Sequence, residues 1–251
     1  MSRAFGLFTI AAVLFFYGCT ADPGEAQATV IPTATVEKPK IPATLAEIVD
    51  EQDTDTYSSL TKFDFLNHTY PLPRGWQDVD SKKVTLENGK RRMTEERTGM
   101  AHVATKFGDV TGDGNDEAFV ILRVGTGGSA TPHIVYIFEE TESEKPEIIW
   151  YFRTGDRADG GLKRVYADKG DLIVELFGKD RYIFSQMETL KIVGDEQQLC
   201  CPDSYTKNRY KRISNGFELK GNRLTYSLIN PDSPPEENLG QKTLEESRGK
   251  N

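Results

Sequence analysis

Three short apolar segments constrain the fold more than any other feature of this chain. Residues 118–124, 134–138 and 148–152 are nearly continuous apolar runs, rich in β-branched and aromatic side chains and bounded by glycine, proline or charge. Runs of this length and composition are typical of strands that are covered on both faces of a sheet. The sequence therefore predicts an all-β fold with buried central strands.

Further strands are predicted on both sides of this centre. The candidates are residues 62–70, 83–86, 102–107, 162–167, 172–177, 205–213, 216–219 and 223–228. Asp168-Lys169-Gly170-Asp171 and Asn215-Gly216 are hairpin-turn sequences between neighbouring candidates. About ten short strands with tight connections indicate an antiparallel sheet or sandwich of propeller-blade-like strands. A complete propeller is not predicted, because no repeat of about 40–50 residues recurs.

The N-terminus has the features of an export signal. Arg3 precedes an apolar run from Ala4 to Phe16, and the small residue Gly18 precedes Cys19. The run is shorter than the roughly 20 residues that a membrane-spanning helix needs. The segment resembles a bacterial lipoprotein lipobox, which implies that signal peptide 1–18 is removed and that Cys19 is acylated. An ordinary signal peptide with an incidental cysteine is the alternative.

This resemblance implies an exported chain that is lipid-anchored to a bacterial membrane. No aspartate follows Cys19, which favours the outer membrane, on its periplasmic or surface side, in a cell with two membranes. Residues 19–43 are rich in Thr, Ala, Pro and Glu and are expected to form a disordered tether.

A globular domain is predicted over residues 44–230, beginning with a short helix near 45–52 that has capping-box residues. A disordered charged tail is predicted over residues 231–251. The net charge of −8 argues against a nucleic-acid partner, which requires a basic binding surface.

The three cysteines exclude a scaffold held by several disulfides. If Cys19 carries lipid, only Cys200 and Cys201 remain, so hydrophobic burial must stabilise the fold. The adjacent pair allows a vicinal disulfide, and two buried thiols or a structural clip are the alternatives.

The segment from Asp109 to Glu117 is the most chemically specific stretch of the chain. Oxygen donors recur along it at alternating positions, and Gly114 permits a sharp bend. The donors are Asp109, Thr111, Asp113, Asn115 through its carbonyl, and Glu117. Alternating oxygens let a short loop surround one hard cation, and Ca²⁺ accepts about six to eight of them. The competing interpretation is a solvated Asp-Gly turn without an ion.

The loop resembles the calcium loop of FG-GAP and VCBS-type β-repeats, whose pattern is Asp-x-Asp/Asn-x-Asp-Gly-x-x-Asp. The resemblance implies a structural Ca²⁺ held mainly by Asp109, Asp113 and Glu117. Thr111 replaces the second acid of that pattern, and Glu117 replaces the last.

A wider resemblance combines this loop with the turn at 155–162, with Cys200-Cys201-Pro202 and with the segment 205–210. The chain resembles, in these segments, a group of uncharacterised exported bacterial lipoproteins. The resemblance implies a shared fold but no known activity. Within the turn, Asp156, Arg157 and Asp159 are candidates for a ligand-facing site that binds an acidic group through Arg157. The alternative is a wide turn in which the aspartates cap backbone donors.

Two functions from different classes follow from these features. The first is a non-catalytic, lipid-anchored module of the cell envelope that binds a protein or glycan and holds one structural Ca²⁺. The basic and aromatic stretch 205–212 suits an anionic glycan or lipid headgroups. The alternative is a hydrolase of envelope polymers that uses paired carboxylates from Asp156, Asp159 or Glu175.

Overall fold

The computed structural model describes residues 48, 58–73, 82–95, 98–125, 127–143, 145–185, 188–190 and 201–237 of the chain. Two short 3₁₀ helices, Ser59–Lys62 and Phe65–Asn67, precede the strands. The strands are β1 (Thr69–Pro71), β2 (Lys83–Thr85), β3 (Lys90–Arg91), β4 (Gly99–Gly108), β5 (Glu117–Gly125), β6 (His133–Glu140), β7 (Pro146–Arg153), β8 (Leu162–Asp168), β9 (Asp171–Phe177), β10 (Tyr182–Ser185), β11 (Glu188–Leu190), β12 (Ser204–Ile213), β13 (Gly216–Leu219), β14 (Leu224–Ser227) and β15 (Glu236–Glu237). The all-β, antiparallel prediction is confirmed, and these residues form neither a closed barrel nor a propeller.

The three apolar runs form the centre of a five-stranded sheet with the order β3-β4-β5-β6-β7. Successive side chains of a strand point to opposite faces. Phe119 and Ile121 of β5 therefore lie on one face, Val120 and Leu122 lie on the other, and all four are fully buried. Because both faces of the sheet are covered, the runs are continuous instead of alternating, and the strand predictions here are confirmed.

Two hydrophobic clusters occupy the two faces of this sheet. The first is shared with a second sheet and includes Phe119, Ile121, Val135, Ile137, Val165, Leu172, Val174 and Leu176. The second is shared with the segment before β3 and includes Leu60, Phe65, Tyr70, Leu72, Val120, Leu122, Tyr136 and Phe138. The five-stranded sheet is thus the middle of three layers.

The second large sheet has six strands, in the order β15-β14-β12-β9-β8, with β13 paired to β12. The predicted hairpin at 168–171 is confirmed, since Asp168 pairs with Asp171 across the turn. Lys169 and Gly170 have φ values of 55° and 76°. Positive φ at both central residues is the requirement of the tight turn that suits the twist of two strands. The β12–β13 pairing confirms the second predicted hairpin.

The strand predicted over residues 62–70 is largely wrong. Only its last residues belong to β1, because side-chain caps favour 3₁₀ turns before it. The Ser58 hydroxyl accepts a hydrogen bond from the Leu60 N–H (3.2 Å), and the Asp64 carboxylate accepts from the Leu66 N–H (3.1 Å). Ser and Asp compete in this way with extended structure.

The sheet also extends into the segment that was expected to form a disordered tail. Glu236 and Glu237 pair with Thr225 and Leu224 of β14, so the tail prediction is wrong for these two residues. Of the predicted helix at 45–52, the structure describes only Ile48, which is helical and buried. The predicted signal peptide, Cys19 and the tether lie outside the described residues. Within the described residues, no helix is both long and apolar enough to cross a membrane.

Candidate functional site

The loop between β4 and β5 carries the predicted calcium ligands. Asp109 shapes it, because its carboxylate accepts hydrogen bonds from the Gly112 N–H (2.6 Å) and the Gly114 N–H (3.1 Å). The Asp113 carboxylate accepts from the Asn115 N–H at 2.8 Å. The two aspartates therefore stabilise the turn through backbone donors in this structure.

Glu117 closes the loop as the first residue of β5. It is buried, and its Oε2 accepts a hydrogen bond from the Val110 N–H at 2.9 Å. Burial raises the pKa of the Glu117 carboxyl to about 7; the Val110 N–H opposes the rise, and the charges of Asp113 and Asp109 add to it. The surroundings of Glu117 thus disfavour its negative charge, which a cation in the loop would stabilise.

The predicted ligands share one loop but do not converge on one point. Thr111 Oγ1 lies 3.5 Å from Glu117 Oε1. In the described part of the chain, no group of three or more His, Cys, Asp or Glu side chains is arranged to hold a metal ion. The donors are all hard oxygens, which fits Ca²⁺ in kind. Each carboxylate has about four lone-pair sites, so Asp109 and Asp113 can coordinate an ion and keep their backbone hydrogen bonds.

The second predicted site, Asp156 to Asp159, lies in a tightly wound loop between β7 and β8. The Gly155 N–H donates to the Gly160 carbonyl (2.9 Å), and the Asp159 N–H donates to the Asp156 carbonyl (2.8 Å). A Cβ atom on Gly155 would lie 1.8 Å from the Asp159 carbonyl oxygen. Only glycine fits at the start of this loop, because any side chain would collide with backbone.

The charged side chains of this loop have partners within the protein. Asp156 Oδ1 accepts a hydrogen bond from the Thr131 N–H at 3.0 Å, and Asp156 Oδ2 pairs with Arg157 Nε at 3.1 Å. Asp159 forms an ion pair with Arg181, which is only 1% exposed. Asp156 thus caps a backbone donor, as in the wide-turn alternative, whereas Asp159 pairs with a side chain and Arg157 is exposed.

Glu175 of β9, the third candidate carboxylate, is also engaged. Its Oε2 lies 2.8 Å from Lys163 Nζ, and its Oε1 accepts a hydrogen bond from the Tyr166 hydroxyl at 3.0 Å. Each acid considered for hydrolysis therefore contacts a cation or a backbone donor. Cys201 is exposed, whereas Cys200 lies outside the described residues, so the vicinal disulfide stays a prediction.

The pairing between distant strands also places side chains together that the sequence did not connect. Arg164 of β8 and Lys207 of β12 both pair with Glu175. The sequence signal for this grouping is the presence of both cations and tyrosines in 163–166 and 205–209. No family model, curated protein or solved structure matches this chain.

Proposed function

We propose that this chain is a lipid-anchored, non-catalytic binding module of the bacterial cell envelope, with one structural Ca²⁺ in the loop 109–117. The lipobox-like segment ending at Cys19 supports the anchor. The engagement of Asp156, Asp159 and Glu175 in ion pairs supports binding over hydrolysis.

The observation that carries the calcium proposal is the position of Glu117. A carboxyl that is buried beside two other carboxyls of the same loop is costly to ionise, and a divalent cation would offset that cost. Asp109, Asp113 and Glu117 would hold the ion, with Thr111 and the Asn115 carbonyl as weaker ligands. The ion would fix the entry to β5, a central strand of the fold, so its role is structural.

Thermal unfolding of the full-length chain in Ca²⁺ and in EDTA tests the calcium site. Extracellular sites commonly have Kd values of about 0.1–1 mM. At ten times Kd, a bound ion stabilises a protein by roughly 1.4 kcal/mol, which corresponds to about 3–6 °C in Tm for a domain of this size. Equal Tm values in 10 mM Ca²⁺ and in EDTA would reject the site.

Asp113→Asn is expected to abolish the shift in Tm. The matched control is Asp116→Asn, which removes the same charge from the same loop at a position that is not a predicted ligand. A comparable loss in both variants would indicate only a general effect of loop charge. Mass spectrometry of membrane extracts tests the anchor separately, because acylation should be found on Cys19 and should be absent from Cys19→Ser.

A further inference from the structure

We propose that the outer face of the six-stranded sheet binds an acidic polysaccharide. This inference rests on the binding module proposed above and specifies its ligand. The face is formed by half-buried and buried side chains of β8, β12 and β14, here named the tyrosine–cation face: Lys163, Arg164, Tyr166, Tyr205, Lys207 and Tyr226. It lies opposite the core residues Val174 and Leu176.

A β-bulge in β8 creates this face. Leu162 is a core residue that pairs with Leu176, and the register then shifts so that Arg164 pairs with Glu175. Simple alternation from Leu162 would turn Arg164 into the core, but the extra residue reverses the direction. Because Lys207 also pairs with Glu175, the three side chains form one row across β8, β9 and β12. The backbones of Arg164 and Lys207 are therefore about 10 Å apart, two strand spacings.

The charges in this row do not cancel. Lys163 and Tyr166 already contact both carboxylate oxygens of Glu175, whose side chain is 6% exposed. Arg164 and Lys207 flank it, and neither forms an ion pair with any described residue. Asp168, further along β8, also interacts with Lys207, but it is paired with Arg209. Among the described residues, this face therefore carries an excess of positive charge in a chain whose net charge is −8. A ligand with negative charges is complementary to it.

Aromatic rings separate the cations. The Tyr166 ring centroid is 5.1 Å from Arg164 Cζ and 5.6 Å from Lys207 Nζ, so one ring contacts both cations. Tyr205 and Tyr226 stack with centroids 5.1 Å apart and planes inclined by 11°. Lys163 Nζ lies 4.1 Å from the Tyr205 ring centroid. The result is a surface on which tyrosine rings and positive charges are interleaved.

A polysaccharide with carboxylate or phosphate groups fits this combination. Its acidic groups can pair with Arg164 and Lys207, while the tyrosine rings offer apolar surface to the sugars. A membrane surface fits less well, since interfacial binding requires apolar side chains that insert into lipid. The exposed large apolar residues of the described part are Leu66, Met93, Ile213 and Ile229, and none belongs to this face.

The test is binding of the full-length chain, in detergent and EDTA, to fluorescent polygalacturonate at 50 and 300 mM NaCl. We expect saturable binding at low salt that weakens at high salt, and no binding to neutral dextran. Arg164→Gln and Lys207→Gln should each weaken binding by roughly three- to tenfold, since each removes one charge-assisted contact. Circular dichroism should show that both variants stay folded, because neither side chain has an ion-pair partner among the described residues.

Lys90→Gln, which removes an exposed charge from β3 of the other sheet, is the matched control and should bind as the unchanged chain does. An equal loss in Lys90→Gln, or no binding at 50 mM NaCl, would overturn the proposal. So would preferential binding to detergent micelles that contain phosphatidylglycerol, which would identify a membrane surface instead. The assay uses EDTA and does not depend on acylation. A negative result would therefore reject the polysaccharide proposal without bearing on the calcium site or the lipid anchor.

Discussion

Gly112 and Gly170 bring turns from the two large sheets into contact. A Cβ atom on Gly170 would lie 3.0 Å from the Gly112 Cα atom, closer than ordinary side-chain packing. Gly112 lies in the candidate calcium loop and Gly170 in the β8–β9 turn, and their φ values are 80° and 76°. The candidate calcium loop is therefore supported by the hairpin that carries Glu175.

This contact predicts that Gly170→Ala destabilises the fold more than left-handed strain alone. Gly221→Ala is the matched control, because Gly221 has a similar φ of 74° but no atom within 4 Å of its added Cβ. We expect Gly221→Ala to lower the free energy of unfolding by about 1–2 kcal/mol, because of the φ strain alone. Gly170→Ala should lower it by more. Urea unfolding measures both values. Equal losses would show that the two turns do not need to approach this closely.

Gly155→Ala is predicted to disrupt the loop that holds Asp159 against Arg181. The added Cβ would collide with the Asp159 carbonyl, and a displaced Asp159 would leave the buried Arg181 charge without this carboxylate. Loss of one member of a fully buried ion pair costs about 3–5 kcal/mol. Because the Asp159 side chain is 31% exposed, we expect a drop in stability below that range in urea unfolding.

Gly125→Ala provides the comparison for Gly155→Ala. Its added Cβ would be 3.7 Å from the Gly99 Cα atom, which is ordinary contact, and neither glycine has a positive φ. The control should therefore change stability little. If Gly155→Ala were equally mild, the loop would have to relax without breaking the Asp159–Arg181 pair.

The central strands and the β8–β9 hairpin could be predicted because their signals are local. Continuous apolar runs report burial on both faces, and Lys169-Gly170 supplies two residues that adopt positive φ. The 3₁₀ turns before β1 were missed because the caps at Ser58 and Asp64 outweigh the strand pattern that follows. Hydrophobic pattern alone does not show which local hydrogen bonds form.

The candidate sites divide in the same way. The calcium loop was visible because its donors are consecutive in sequence, at Asp109–Glu117. The row of Arg164, Glu175 and Lys207 depends on strand register, and a bulge beside Lys163 decides which face Arg164 occupies. A shift of one residue reverses the direction of every following side chain, and no composition signal marks that shift.

The free energy of unfolding is predicted to depend strongly on both members of the Lys163–Glu175 ion pair. Their side chains are 11% and 6% exposed and lie 2.8 Å apart. Glu175→Gln would leave the Lys163 charge buried without its carboxylate, which should cost about 3–5 kcal/mol in urea unfolding. Replacement of both residues by apolar side chains of similar volume should restore much of the loss.

Glu236→Gln is the exposed counterpart of that substitution. The Lys179–Glu236 pair spans 3.6 Å with side chains 52% and 70% exposed, so its removal should cost no more than about 1 kcal/mol. Similar losses for Glu175→Gln and Glu236→Gln would mean that the Lys163–Glu175 pair is not buried in solution.

His133 predicts how stability changes with pH. Both ring nitrogens are buried and have no hydrogen-bond partner among the described residues. Burial and, to a smaller extent, the positive charge of Arg123 lower the pKa of His133, Asp156 opposes them, and the resulting pKa is about 4. The folded chain thus binds this proton less well than the unfolded chain, in which the pKa is about 6.5.

The stability associated with neutral His133 is complete above about pH 6.5 and is lost as the pH falls towards 4. One such group contributes a slope of up to about 1.4 kcal/mol per pH unit in this range. Urea unfolding should therefore show a clearly lower stability at pH 5 than at pH 7. His133→Phe and His133→Gln should each make this difference smaller. His68 and His102, whose pKa values burial also lowers, remain in both variants and leave a residual slope. An unchanged pH dependence in both variants would show that His133 is protonated as easily in the folded chain as in the unfolded one.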